Sequence, residues 1–257
     1  MPFAQQLLLK IPTLFLGLII IGGGIILSVA GLLMVRRYIP HHKFKVHNDV
    51  AGPIFGTLGV VYAVLLAFAV VIVWQSFDKS DLNVEKEAAF LSNIYRDAEC
   101  FPRDFKENAR ALTDAYRKGV VNEEWQAMAK GQASPRVEEI LRKLWQLYGN
   151  YSLKTETERV FFEESVRSLN NLSELRTVRL MDSRSGIHPL LWFVLITGGI
   201  TTVTFTFFFG SENLRAQLAM SVLLAVLISL ILFTILLLDF PFTGDVSISS
   251  GPFITGG

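Results

Sequence analysis

The stretch GPIFGTLGVVYAVLLAFAVVIVWQSFDK, residues 52–79, decides the fold. From Gly52 to Trp74 it carries no charged side chain, and it ends at Phe77-Asp78-Lys79. A helix needs about 20 apolar residues to cross a bilayer core. A charge at mid-bilayer costs about 2.5–3.5 kcal/mol on the insertion scale, so a charge-free run of this length reads as a membrane span. Trp74 falls at its edge, where amphipathic rings settle at the membrane interface. Working outward, three more stretches read the same way: Ile11 to Val35, closed by Arg36-Arg37; Pro189 to Phe209, with Trp192 near its start; and Leu218 to Leu238, closed by Asp239. The first is too long for a signal-peptide core, and its basic pair follows the apolar run instead of preceding it.

The charges lie between the spans. Lys and Arg number 24 and Asp and Glu 23, and 37 of these fall between Phe77 and Ser185. The expected organisation is a short tail (1–10), a membrane hairpin (11–74), a water-exposed helical bundle (75–186), a second hairpin (187–238) and a C-terminal tail (239–257). The fold class is therefore an all-α polytopic membrane protein with four transmembrane helices in two hairpins. The lipid bilayer is the first expected partner. Net charge near zero, with no basic stripe carrying interleaved aromatics, excludes a nucleic-acid interface. Cys100 is the only cysteine, which excludes an internal disulfide and a Cys-based zinc site within one chain.

Short-loop charge sets the expected orientation. Arg36, Arg37, Lys43 and Lys45 join the first two spans, Arg215 lies between the last two, and the C-terminal tail has no Lys or Arg. The positive-inside rule puts both short loops in the cytoplasm and the helical domain outside, for a protein of the bacterial inner membrane.

Within 78–185, apolar residues recur at helical spacing throughout, as in Phe105, Ala109, Leu112, Tyr116 and Val120. Pro102 breaks one helix, and Asp104 with Glu107 resembles a capping box. Gly131 ends the next helix. Ser134-Pro135 starts another with a cap followed by proline, and Thr155 with Glu158 repeats the capping-box pattern. The bundle is expected to continue the second and third spans out of the bilayer.

No phosphate loop, His-Glu-x-x-His or Gly-x-Ser-x-Gly occurs, so an enzyme and a bound cofactor are not expected. His41, His42 and His47 share the first basic loop and read as solvated positive-inside residues, not metal ligands. Gly52, Gly56, Gly59 and Ala63 share one face of the second span. Small residues there serve close helix packing or a narrow pore. Thr197, Thr201 and Thr204 do the same on the third span, where hydroxyls bond back to their own helix or face water in a channel. Asn48, Asp49, Asp239 and Asp245 are polar residues at the membrane edges, either interfacial or part of an ion-selecting ring. Pro241 ends the fourth span and Gly244 permits a turn. The chain after it is expected to run along the membrane surface, anchored by Phe242 and Phe253. Asp239 is expected to pair with Arg176, Arg179 or Arg184.

Several of these residues form recognisable motifs. Asn48-Asp49 precedes Gly52, then Gly59-Val-Val-Tyr62-Ala63-Val-Leu-Leu-Ala67-Phe68 and Trp74. Glu87-Ala88, Tyr95-Arg96, Tyr116, and Glu124-Trp125 with Met128 and Gly131 follow. Arg176-Thr-Val-Arg179-Leu180, Pro189, Trp192 and Leu238-Asp239-Phe-Pro241-Phe242-Thr-Gly244-Asp245 complete the set. Over residues 48 to 253 the chain resembles the bestrophin-like domain proteins, a family of unknown function. Their name implies likeness to bestrophins, pentameric anion channels with four spans per subunit. The bestrophin calcium clasp and neck sequences have no counterpart here. The resemblance implies an oligomeric ion channel, with an inorganic ion as substrate and further copies of the chain as partners. Two other classes fit the layout: a non-conducting scaffold or sensor whose helical domain binds a partner, and a proton-driven subunit like those of flagellar stators.

Overall fold

A computed structural model describes residues 3–39, 48–184 and 186–255. The basic loop with His41, His42, Lys43, Lys45 and His47 lies outside the described residues. All described regular elements are helical. In order they are α1 (Phe3–Lys10), α2 (Thr13–Tyr38), α3 (Asn48–Asp97), α4 (Arg103–Gly119), α5 (Trp125–Met128), α6 (Pro135–Gly149), α7 (Glu156–Asp182), α8 (Pro189–Phe205), α9 (Leu214–Leu238) and α10 (Gly251–Thr255). Four of them are long and apolar enough to cross a membrane: α2, α3, α8 with its 3-10 extension, and α9. The protein is an all-α integral membrane protein, as its hydropathy requires.

The chain divides into a membrane unit (Lys10–Ser76 and Ile187–Asp239) and a helical unit (Met1–Leu9, Phe77–Gly186 and Phe240–Gly257). In the membrane unit, α2 packs along α9. Gly17 of α2 lies under the Phe233 ring and Gly24 against the Ser229 hydroxyl, while Gly31 meets Phe207. The sevenfold spacing keeps these glycines on one face and lets the backbones approach. Tyr62 of α3 donates its hydroxyl to the Leu195 carbonyl of α8 at 2.8 Å. Its ring covers Gly198 and Gly199, where any added carbon would clash. Asn48 pairs through both amide atoms with the Gly210 backbone, each bond 3.0 Å.

In the helical unit the breaks follow local chemistry. Ser134 accepts from the Val137 amide with Pro135 at the first helical position, and Thr155 accepts from the Glu158 amide. Glu158 returns the bond by accepting from the Lys154 amide at 2.9 Å. The Asp104–Glu107 box does not form. Pro102 itself occupies the cap position, and Glu107 turns to Arg103 at 2.8 Å. After α4 one π turn, Val120–Glu124, leads into α5, and Gly131 closes the segment at φ +66°. The second span continues without a break to Asp97. The third does not continue outward in this way, since α7 ends at Asp182 and α8 begins at Pro189.

The two segments read as tails supply residues to the helical unit. Gln5 donates its amide to the Ser183 carbonyl at 3.1 Å and the Thr243 hydroxyl at 3.2 Å. Phe242 and Phe253, expected as surface anchors, are 3% and 1% exposed in the helical core. Both rings meet Trp125 edge-on, and the Trp125 indole donates to the Ile248 carbonyl at 3.1 Å. The apolar rings find a protein core there, so they need no bilayer. Gly244 makes the expected turn, at φ +86°. A side chain at such a φ costs about 1–2 kcal/mol. Gly244→Ala should therefore lower the thermal unfolding midpoint in detergent, and an unchanged midpoint would show that the turn bears no strain.

Candidate functional site

Two sets of side chains stand out, one in each unit. In the membrane unit a groove of about 630 Å³ runs between α3 and α8, lined by Ile54, Thr57, Tyr62, Thr197, Gly198 and Thr201 among others. Its walls are mostly apolar. Thr57 and Thr197 return their hydroxyls to Pro53 and Phe193, four residues back on their own helices. Thr204 lies on the wall of a different cavity, shared by α2, α8 and α9. The three threonines of the third span are thus split between two places. At Gly52, Gly56 and Gly59 an added carbon would meet no atom within 4 Å, so no described residue of the membrane unit packs on this face. Ala63 and Asp49 are exposed.

Asp239 caps the end of α9. Its carboxylate accepts from the Ile187 amide at 2.6 Å and the Trp192 indole at 3.1 Å. This corrects the expected pairing with an arginine. The acid is satisfied by neutral donors at the start of α8, and Arg176 and Arg179 are committed elsewhere. Asp245 is exposed beyond the Gly244 turn.

Those two arginines build the second set. Arg179 is fully buried, and its guanidinium grips Glu87 of α3 with two bonds, 2.7 and 2.9 Å. It reaches Glu124 on the π turn at 2.9 Å and the Met128 sulfur at 2.6 Å. Its plane lies 5.3 Å from the Trp125 ring, within cation–π range. Arg176, one turn earlier on α7, holds Glu124 at 2.7 Å and also pairs with Glu138 of α6. Tyr116 of α4 donates to Glu87 at 2.8 Å, and the Ser134 amide donates to Glu124 at 3.2 Å. Burial works to raise the Glu124 carboxyl, but the hydrogen bonds and charges of Arg176 and Arg179 outweigh it and hold it below the usual carboxylate range. Burial and the neighbouring Glu87 push the Tyr116 phenol far up, so it stays a donor. No member is a free nucleophile or base. The cluster binds helices together and carries no visible catalytic chemistry.

Sequence reading noted Glu87 and Glu124 only as motif markers, Tyr116 also as part of an apolar stripe, and Arg176 and Arg179 also as candidate partners of Asp239. A physical signal was available, because the charges occupy positions that continue apolar stripes. Glu87 lies between Val84 and Leu91, and Arg176 and Arg179 extend the row Leu169, Leu172. A charge on such a stripe must be buried, and a buried charge must be paired. The π turn was the unreadable part. It shifts the register after Gly119 and turns Glu124 inward.

This fold, four spans with a helical unit locked by buried ion pairs, defines a class of integral membrane protein. The bestrophin-like domain model matches residues 22–253, and the chain belongs to that family. Solved structures of a bacterial bestrophin homolog from Klebsiella pneumoniae, each carrying a point mutation, share the fold. One aligns at TM-score 0.67 and 12% identity over 91% of this chain and 96% of the other. Two more give TM-scores of 0.65 and 0.63 at 12% and 11% identity, over 91% and 92% of this chain and 94% of the other in each case. No curated protein matches the sequence.

Removing one partner of a buried pair costs about 3–5 kcal/mol, because the other charge is stranded. Arg179→Met should lose stability on that scale, and a near-neutral result would show that the glutamates find water. The Glu124 carboxyl is depressed in the folded state, so its contribution is present above the unfolded value and is lost as pH falls through the folded one. The wild-type unfolding midpoint should therefore drop as pH falls through and below the usual carboxylate range. Acid titrations of wild type and Glu124→Gln check this, with a shallower drop expected in the variant.

Proposed function

We propose that the protein is an ion channel-like membrane protein, built from several copies of the chain around an axis. The observation that carries this reading is the bare face of α3. Gly52, Gly56 and Gly59 keep one side of a membrane-crossing helix free of side chains, yet no described residue packs there. Small residues on a membrane helix allow a close neighbour. Here that neighbour is another copy of α3 or the ion itself. Four helices alone enclose little room for a conduit, so a symmetry axis is the place for one. Family membership and the fold of a bacterial bestrophin homolog support the same reading. Chloride is the first ion to test, since the family name points to anion conduction.

Flux of chloride and potassium through purified protein in liposomes, with native mass measured on the same sample, tests the proposal. A monomer without flux would favour the scaffold reading. Gly56→Leu adds four carbons where the chain has open space, so it should leave the fold intact and abolish either assembly or flux. Wild-type size and flux in that variant would remove the glycine face from the pore and from the seam.

Short-loop charge supports placing the helical unit on the non-cytoplasmic side. Cys100, the sole cysteine and exposed, reports this without mutation. A membrane-impermeant maleimide should label it in right-side-out vesicles. Labelling only in inverted vesicles would overturn the orientation and bring back the stator-like layout.

A further inference from the structure

The end of α3 holds an unsatisfied charge. Asp97 is its last residue, 9% exposed, and the buried carboxylate oxygen Oδ2 makes no hydrogen bond. Among the described residues it forms no ion pair: Arg96, the adjacent cation, donates to Asn93 instead, at 2.6 Å. The position is doubly unfavourable for an anion. A helix C-terminus carries partial negative charge, and low-dielectric surroundings penalise a lone carboxylate. Two buried hydroxyls lie nearby. Tyr148 of α6 is 1% exposed and Ser165 of α7 is 0% exposed, and neither hydroxyl meets a partner at full hydrogen-bond geometry. The Tyr148 phenol is near enough to Ser165 for the two hydroxyls to interact, and it feels the Asp97 charge. Ring contacts fix the framework, since Tyr148 packs edge-on to Phe101, four residues past Asp97, and lies 5.8 Å from Phe162, three residues before Ser165.

Buried polar atoms are almost always satisfied, and a bare carboxylate oxygen near two such hydroxyls marks a missing partner. The donor set is all oxygen and carries one negative charge, which suits a hard cation. One carboxylate and two neutral hydroxyls balance a single positive charge, which favours a monovalent ion. We propose that the Asp97 carboxylate and the hydroxyls of Tyr148 and Ser165 hold a bound alkali cation at the C-terminal end of α3. The cation neutralises Asp97, offsets the helix end and ties α3, α6 and α7 together at the edge of the aromatic cluster. Burial raises the Asp97 carboxyl, Arg96 lowers it and Glu164 raises it again. The site does not depend on whether the protein conducts.

The test uses the full chain in detergent at neutral pH. Unfolding is followed in sodium chloride, potassium chloride and choline chloride at equal ionic strength. Sodium or potassium should raise the midpoint over choline, in a saturable way. Asp97→Asn should abolish that shift and Ser165→Ala should reduce it. Sodium-23 line broadening by wild type, lost in Ser165→Ala, gives a second readout should Asp97→Asn fail to fold. Equal midpoints in all three salts would mean that water fills the space and would overturn the proposal. A shift that survives in a folded Asp97→Asn would overturn it as well.

Discussion

Arg179 imposes the constraint on which the helical unit rests. Its guanidinium has no access to water, so every N–H must find an acceptor inside the protein. Glu87, Glu124 and the Met128 sulfur provide them, from α3, the π turn and α5. The arrangement fixes more than one pair. Glu124 must be shared between two arginines, and this requires the turn after Gly119 to be wound wider than an α-helix. Tyr116 must point at Glu87, which sets the face that α4 shows to α3. Buried ion pairs are weak contributors to net stability against an apolar alternative, but they tolerate no other register. That intolerance explains why a bundle of ordinary Leu and Val contacts has one packing here.

Much of the fold was legible because hydropathy and proline act along the chain. The four spans, the stop at Pro102, the Ser134 and Thr155 caps and the glycine turns at 131 and 244 each depend on a few neighbouring residues. Most of what failed depended on partners far away in sequence. Asp239 drew its donors from Ile187 and Trp192, which no local spacing announces. Phe242 and Phe253 looked like interface anchors, because a terminal aromatic beside a span gives the same pattern whether lipid or protein receives it. The Asp104–Glu107 box lost to the cap position of Pro102 and to the nearby Arg103.

The candidate pore face was legible as a pattern but not as a role. Two helices carry spaced glycines, and the structure uses them differently. On α2, Gly17, Gly24 and Gly31 receive Phe233, Ser229 and Phe207. On α3, Gly52, Gly56 and Gly59 receive nothing from the described residues. Sequence spacing shows only that a helix can be approached closely. What approaches is visible in the fold for α2, whereas for α3 no described residue does so. The threonines teach a related lesson. A hydroxyl satisfied by its own helix, as in Thr57 and Thr197, leaves an apolar groove wall where the sequence suggested a polar one.

The packing of Trp125 bears on how the protein is made. Its ring packs against Phe242 and Phe253, and its indole bonds to Ile248, all beyond the fourth span. A ribosome adding roughly 5–20 residues per second makes Trp125 well before it reaches those partners. For that interval, on the order of ten seconds, one wall of the helical unit is open and apolar while two more spans are still being inserted. The unit thus closes after membrane insertion is complete, and an unfinished nascent chain displays a hydrophobic cleft that chaperones and proteases can read.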